Sequence, residues 1–500
     1  MKRLLTLWLA CAMGLALAAP RPGDAAETPP PTPEMAKVAA YVEQAWRGSG
    51  IPGLALAAVD GGQVLVKGYG LASLDTGRSV TPETLFEIGS CTKAFTGLAL
   101  ACLRAEAGLD FQTPVADLLP LFYGLYQDRQ QPITLDQLLH HTSGIPDSTI
   151  MTLPAGDQDY ALKKTTMGVS GLNLAFIPGS QFSYATVNYD VAAMMLAKVS
   201  GQDYADYLAQ KVLQPLGLSQ TLVGCQAQVA TTHPQMAAGY KVGFMRPQAY
   251  LPPPFRGNFP AGYVISNAQD MARWLRIQLG LEDTALASLI RQTHAPNPKV
   301  PADPGEHYGL GWYISDKGIV HHDGVNPTFT AFVGLDPATG KGVAVLTNYN
   351  SSLAGEIGWG ALAILLGRDP RPPQDTFDYP LHLDKQATIA CAVLGFIGLL
   401  LALVCLRQFW GILFGRRRFA PPTAWRFLLL GLFLLLTPVV VYQVYVLPAT
   451  LLGANWEAMA VWGPISLVAA AKLILADWFL ILGVVSMRLL FPRHRPGLKA

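Results

Sequence analysis

The sequence predicts an α+β domain, an antiparallel sheet flanked by helices with a separate helical lobe, followed by three transmembrane helices. Three observations lead there. Two apolar runs flank Asp60-Gly61-Gly62 in the manner of a hairpin. Further strand-like segments return only near Gly309, after a long stretch of helical and loop-rich pattern. Beyond residue 386 most of the chain turns apolar.

The elements follow in chain order. The opening "MKRLLTLWLACAMGLALAAP" combines two early positive charges, an apolar run and small residues, the pattern of a secretory signal peptide over residues 1–19. Cleavage falls after Ala18, Ala19 or Ala26, and an uncleaved anchor is the alternative; Cys11 lies inside the apolar run and makes a poor lipoprotein site. Residues 20–34 are a Pro-rich linker with no core-forming residues. The folded domain spans 35–367. It begins with an amphipathic helix from Glu34 to Trp46 and the hairpin, and a helix starts near Ser90 and runs to about Glu106. "SNAQDMARWLRIQLG" is a helix capped by Ser266 or Asn267. Strands are expected near "GLGWYI", "GIVHHDG", "TFTAFVGLD" and "GVAVLTN", and a final helix over 355–367 packs back on the sheet. Residues 368–386 are a polar linker.

Three apolar runs, Ala387–Leu406, Phe427–Leu447 and Ile465–Val485, are long enough to cross a bilayer, which takes ~20 residues. They make a membrane domain over 387–487, with a basic tail at 488–500. Arg407, Arg416, Arg417, Arg418 and Arg426 lie between the first two runs, and Arg488, Arg493, Arg495 and Lys499 follow the third. Cytoplasmic segments collect such charges, so the large domain is expected to lie outside the membrane and the C-terminus to face the cytoplasm. Lys472 and Asp477 are ionisable residues within the third run, five apart and so on different faces of a helix. Pro438 is expected to kink the second span.

Composition narrows the chemistry. The hydrophobic share of 51% against 14% charged residues suits a membrane protein. A net charge of +2 gives no reason to expect a nucleic-acid partner. Cys91, Cys102 and Cys225 cannot all pair within the exported domain, and neither His140-His141 nor His321-His322 brings a third ligand for a metal.

One stretch carries the chemistry. In "EIGSCTKAFTGLAL" Ser90 and Lys93 are three apart and share a helix face. A lysine of depressed pKa can take the proton that a serine must lose to become a nucleophile. Tyr184, in "PGSQFSYATVNYD", could act as the base or protonate a leaving amine, or be a half-buried structural tyrosine. In "IVHHDGVNP", His322-Asp323-Gly324 ends a strand, and the glycine allows close approach to a backbone amide that could bind an oxyanion; a surface turn is the plainer reading.

Ser90-x-x-Lys93, "LLHHTSG", Tyr184, "PLGLSQT", "YGLGW" and His322-x-Gly324 stand in the order seen in the serine β-lactamase-like family. The chain resembles that family, which includes class C β-lactamases, penicillin-binding DD-peptidases and related esterases, over about residues 35–367. The resemblance implies that Ser90 is the nucleophile and that Lys93 and Tyr184 share the base and acid roles. It also implies an oxyanion hole from the amides of Ser90 and Val325, and no cofactor. The usual Tyr-x-Asn is here Tyr184-Ala185-Thr186, which tells against a β-lactamase. "FSYATVNYDV", "AAGYKVGF" and "GVNPTF" are similar to the membrane prodrug-activating D-asparaginyl peptidases, typified by the colibactin-activating peptidase. Those enzymes remove an N-acyl-D-asparagine leader from an exported nonribosomal peptide precursor. In that subfamily Thr186 matches a small hydroxyl residue and Asn326 the leader-binding asparagine, while Asn258 replaces a leader-reading histidine. The implied partners are an amphiphilic acylated peptide substrate, membrane lipid and an exporter of the precursor. The alternatives are a cell-wall DD-peptidase, esterase or β-lactamase on the same fold, and a membrane binding protein with a vestigial site.

Overall fold

In the computed structural model, which describes residues 32–371 and 377–493, an eight-stranded antiparallel sheet is the frame. The proposed signal peptide, nearly all of the Pro-rich linker, and Arg495 and Lys499 lie outside the described residues. Across the sheet the strands run Glu306–Tyr308, Tyr313–Ser315, Val320–Val325, Thr330–Asp336, Lys341–Thr347, Gly53–Asp60, Gln63–Ser73 and Arg78–Ser79. The first strand in sequence therefore pairs with the last, Leu54 opposite Thr347 and Asp60 opposite Lys341. Closing the sheet this way brings residues 320–347 next to the N-terminal strands, with the helical lobe emerging between them.

The central strand is covered on both faces, so it reads as a continuous apolar run rather than an alternation. Leu54, Leu56 and Ala58 face helices Pro33–Ser49 and Leu353–Leu365, packing with Met35, Val38, Val42, Ile357 and Leu365. Ala55, Ala57 and Val59 face the other way, onto Met271 and Leu275 of helix Ala268–Gln278 and the core of the helical lobe. Small side chains on that face let the lobe approach closely. Thr32 caps the first helix, with Pro33 in its first turn, and Gly50 closes it in the left-handed conformation. Asn267, one of the two expected caps, accepts from the Asp270 amide. The final helix runs Leu353–Leu365, as the sequence pattern anticipates.

Two boundaries differ from the sequence reading. Ser90 lies in a 3₁₀ turn, Gly89–Cys91, and the α-helix begins after it, at Thr92. The first membrane-type helix starts at Tyr379 rather than Ala387, so the expected linker 368–386 is in part helix. The reason is local. Asp384, wholly buried, accepts from the amides of Phe244 (3.0 Å) and Met245 (2.6 Å) and from Ser466 Oγ (2.5 Å). A polar residue that ties the helix to the N-terminal domain is invisible to an apolar-run criterion.

Three helices, Tyr379–Leu413, Ala424–Leu452 and Ile465–Leu490, are long and apolar enough to cross a membrane. The first and third lie side by side, with Cys391 Sγ near Ser466 O (3.4 Å) and Cys405 Sγ near Leu480 O (3.7 Å). The second contains Pro438 and Pro448 within its length. Arg417 donates to Phe491 O (2.8 Å), which brings the two Arg-rich segments to one end of the bundle. Asp477 is buried against Gly398, whereas Lys472 is exposed, so the two do not pair.

Asn348 stitches the layers together. Its Oδ1 accepts from Gly53 N (2.8 Å), and its Nδ2 donates to Ala238 O (2.9 Å) and Leu71 O (3.2 Å). Asn348→Ala leaves these buried groups unpaired, and the expected loss is about 2–3 kcal/mol. A fall in the thermal midpoint of the detergent-solubilised protein, absent for an exposed control such as Gln269→Ala, would check it.

Candidate active site

Ser90 and Lys93 meet at the junction of sheet and lobe. Lys93 is completely buried, and its Nζ donates to Ser90 Oγ (2.9 Å), Thr186 Oγ1 (3.0 Å) and Ala261 O (2.7 Å). The rings of Tyr184 and Tyr189 lie 5.0 and 5.8 Å from it. Burial pushes the lysine down to about 7, against the opposing pull of the Asp190 carboxyl. The Ser90-x-x-Lys93 motif is thus a hydroxyl hydrogen-bonded to an amine that can be neutral near physiological pH.

Tyr184 is held for a different state. Burial drives its phenol well above the ordinary tyrosine value, with Ser90 the neighbour that opposes the shift most. Its hydroxyl has no formed hydrogen bond among the described residues. The ring packs against His141 at a tilt of 31°, with centroids 4.2 Å apart. His141 Nδ1 accepts from Ala185 N (3.2 Å) and faces Asn188 Nδ2 (3.0 Å), and Asn188 Oδ1 in turn accepts from Ser143 Oγ (2.8 Å). The "LLHHTSG" segment therefore works as a mount for the tyrosine loop.

Two glycines bring the other wall in. Gly89 has φ +52°, and a Cβ there would run into Val325 N; a Cβ on Gly324 would run into Ile88 O. The close approach sets the Val325 amide beside the turn that carries the Ser90 amide, the arrangement an oxyanion hole needs. His322 does not join Ser90 and Lys93. Its Nε2 accepts from the Tyr308 hydroxyl (2.9 Å), its Nδ1 faces Asp323 O (2.6 Å), and burial pushes it down to about 3, so it is neutral.

Thr186, Asn258 and Asn326 lie around the pair in two ways. The Thr186 hydroxyl is engaged by Lys93. Asn326 Nδ2 donates to Glu87 Oε2 (2.7 Å) and Gly262 O (2.9 Å), and Asn258 Nδ2 donates to Asp190 Oδ2 (2.7 Å). Both amide oxygens then converge at Gly262, each 3.5 Å from where a side chain there would begin.

The chain matches the family model "Beta-lactamase" over residues 38–366. It belongs to that family. Among curated relatives it is similar to Protein flp of Staphylococcus aureus (strain MW2), 32% identical over 304 residues, 60% of each chain. It is also similar to the Unguisins hydrolase ungD' of Aspergillus campestris (strain IBT 28561), 30% identical over 332 residues, 61% of this chain and 60% of the relative. The chain thus spans about 60% of the length of these relatives. Among solved structures it resembles the octameric penicillin-binding protein homologue from Pyrococcus abyssi, with a TM-score of 0.57 and 27% identity, covering 67% of this chain and 78% of that one. The family implies serine hydrolase chemistry through an acyl-enzyme.

Sequence reasoning missed two buried carboxylates beside this site. Glu87, three before Ser90, is wholly buried, accepts from Gln226 N (2.7 Å) and is pushed up to about 7 by burial. Asp190, one helical turn past Thr186, is also wholly buried, is raised well above the carboxylate range, and has one oxygen without a partner among the described residues. A carboxylate inside each of the two quoted motifs was the available signal. Gly324→Ala is expected to displace the Val325 amide and slow acylation of Ser90 by about 100-fold, the loss typical of an oxyanion donor. Labelling rates with a serine-directed acylating probe, with Ser90→Ala as blank, measure it.

Proposed function

We propose that this protein is a membrane-bound serine peptidase that removes an N-acyl-D-amino-acid leader, N-acyl-D-asparagine in the first instance, from an exported nonribosomal peptide prodrug. The observation that carries the hydrolytic part is the Lys93–Ser90 hydrogen bond with a lysine near 7. Neutral Lys93 takes the Ser90 proton as Oγ attacks the leader's amide carbonyl, and the Ser90 and Val325 amides receive the oxyanion. Tyr184, still protonated, gives its proton to the departing amine and regains one from the Lys93 ammonium. Water then hydrolyses the acyl-enzyme with Lys93 as base. Ser90, Lys93 and Tyr184 touch the reacting atoms, whereas His322 acts through Tyr308 and the strand that carries Gly324.

The converging oxygens of Asn258 and Asn326 support the leader assignment. Two acceptors, backed by Asp190 and Glu87, suit the NH₂ of a primary amide and disfavour a carboxylate. The relative named as an unguisins hydrolase is consistent with a hydrolytic role. The family neighbour among penicillin-binding proteins favours the second reading, a cell-wall DD-peptidase or esterase. Against that, the Thr186 hydroxyl is already taken by Lys93, so residue 186 offers a substrate no amide. The Arg-rich end of the helical bundle supports a cytoplasmic C-terminus, with the catalytic domain in the periplasm.

The test uses membranes holding the full chain, with Ser90→Ala as control. Cleavage of a fatty-acyl-D-asparaginyl amide, but not its L-asparaginyl epimer or the D-aspartyl analogue, is the expected outcome. Turnover of a D-Ala-D-Ala peptide or a chromogenic cephalosporin instead would overturn the leader reading.

A pH profile tests the mechanism separately. The folded Lys93 is protonated below about 7 and cannot accept the Ser90 proton. The rate should therefore fall on the acid side of about pH 7, approaching tenfold per unit. A kcat/KM that is flat between about pH 5 and 9 would remove Lys93 as the base.

A further inference from the structure

One turn of the large domain presents apolar side chains outward under strain. Strands Tyr240–Gly243 and Arg246–Ala249 form a hairpin with Gly243 opposite Arg246, which leaves Phe244 and Met245 as a two-residue loop. Both residues have positive φ, +53° and +61°, at loop positions where Asn and Gly are preferred. A Cβ in this conformation crowds the backbone, so each residue is held there at a cost. Their side chains are nonetheless 43% and 46% exposed, so packing within the protein does not repay that cost in full. The backbone is secured by one buried carboxylate, Asp384, which accepts from both amides. Lys241, buried on the same hairpin, donates to Ala460 O (2.6 Å) and Val461 O (3.2 Å) in the short helix Trp456–Trp462. The hairpin is therefore fixed in place while its tip faces outward.

Two of the long helices set the level of this tip. Asp384 precedes Ala387, where the first apolar run begins, by three residues, a rise of about 5 Å along a helix. The polar layer on each side of a bilayer's hydrocarbon core is about 5–8 Å thick. The third long helix gives the same level independently. It begins at Ile465, and a Cβ on Gly243 would lie 2.9 Å from the Ile465 Cβ, while Ser466 donates to Asp384. The starts of two apolar helices thus meet at the turn. Other groups nearby share its character. Phe377 and Tyr379 are exposed at the start of the first helix, and Met245 and Phe377 line one cleft with Leu381, His382 and Lys385. Arg246 and Lys385 are exposed cations beside them. Exposed aromatic and apolar side chains interleaved with cations are the composition of a membrane–water interface.

We infer that the Phe244-Met245 turn is an interfacial anchor, inserted among the phospholipids of the leaflet that faces the large domain. The two side chains enter the boundary of the acyl chains, and Arg246 and Lys385 meet lipid phosphates. The inference rests on the membrane-bound reading above and adds to it a lipid contact made by the large domain itself. The occupant follows from continuity: helices of membrane-spanning length begin on two sides of the turn, so the lipid that borders them borders it. Transfer of two apolar side chains out of water offsets the strain of the turn. With Asp384 fixing the backbone, the anchor holds the domain at one height and tilt over the bilayer.

The experiment uses the full chain in nanodiscs of phosphatidylethanolamine and phosphatidylglycerol with tritiated acyl chains. The photoreactive residue p-benzoylphenylalanine is placed at 244, 245, 396 or 281, one site at a time. Phe396, exposed on the first long helix, reports lipid around the apolar helices. Leu281 is exposed beside Gly340, at the Asp60 end of the central strand, whereas the hairpin's Tyr240 meets Asn348 at the Gly53 end. After irradiation, lipid adducts at 244 and 245 are expected to exceed those at 281 by about tenfold. Adducts at 396, with 244 and 245 no higher than 281, would overturn the anchor and leave the membrane reading standing. Absence of adducts at 396 as well would overturn both. A second measurement needs no substitution. In the wild-type chain in the same nanodiscs, hydroxyl radicals should oxidise Met245 more slowly than Leu281, although a thioether is the more easily oxidised group. Faster oxidation at Met245 would overturn the anchor whatever the adducts show.

Discussion

Everything chemical in this molecule depends on burying one lysine completely. A lysine ammonium withdrawn from water is unstable unless its donors are met, and Lys93 meets three acceptors from three separate parts of the chain: Ser90, Thr186 and Ala261. Each contact fixes a different element. Ser90 belongs to the turn that enters the central helix, Thr186 to the tyrosine loop, and Ala261 to the segment that also carries Asn258. The same burial that requires these partners lowers the proton affinity of the amine to the range useful for acyl transfer. Structural demand and catalytic competence have one cause here.

Around the lysine the charges are arranged in buried, paired layers. Asp190 and Glu87 are each wholly removed from solvent and each holds an asparagine amide by its nitrogen. The oxygens of those amides converge on the buried Gly262. An aromatic shell of His141, Tyr184, Tyr308, Tyr313 and His322 encloses the other side and keeps Tyr184 protonated by excluding water. Desolvation therefore shifts neighbouring groups in opposite directions, lowering the lysine and raising the tyrosine, which leaves the neutral amine and the protonated phenol that the proposed base and acid require.

The catalytic domain and the apolar helices are joined by polar contacts buried at their boundary, not by hydrophobic packing alone. Asp384, Ser466 and Lys241 define that joint with directional hydrogen bonds. Such contacts specify one relative placement, since any other leaves a buried charge unmet. This explains why the first long helix begins before its apolar run: its first turns belong to the junction.

Local pattern and covalent order determined a good deal of this protein. The hairpin at Asp60-Gly61-Gly62, the Asn267 cap, the apolar helices, and the Ser90/Lys93 spacing are all properties of neighbouring residues, and each was legible in the sequence. Family resemblance added Val325 and Asn326 and chose between the two local readings of Tyr184, expectations that no local pattern states. What only the tertiary structure decided depends on residues far apart in the chain. Glu87 meets Asn326 across 239 positions, Asp190 meets Asn258 across 68, and Asp384 meets Phe244 across 140. Titration belongs to the same class: nothing in Ser-Cys-Thr-Lys lowers a lysine, whereas enclosure by Thr186, Ala261 and the tyrosine rings does. Periodicity records which face of an element is buried; it carries no record of which distant group will share that burial, and the chemistry of this site is set by that sharing.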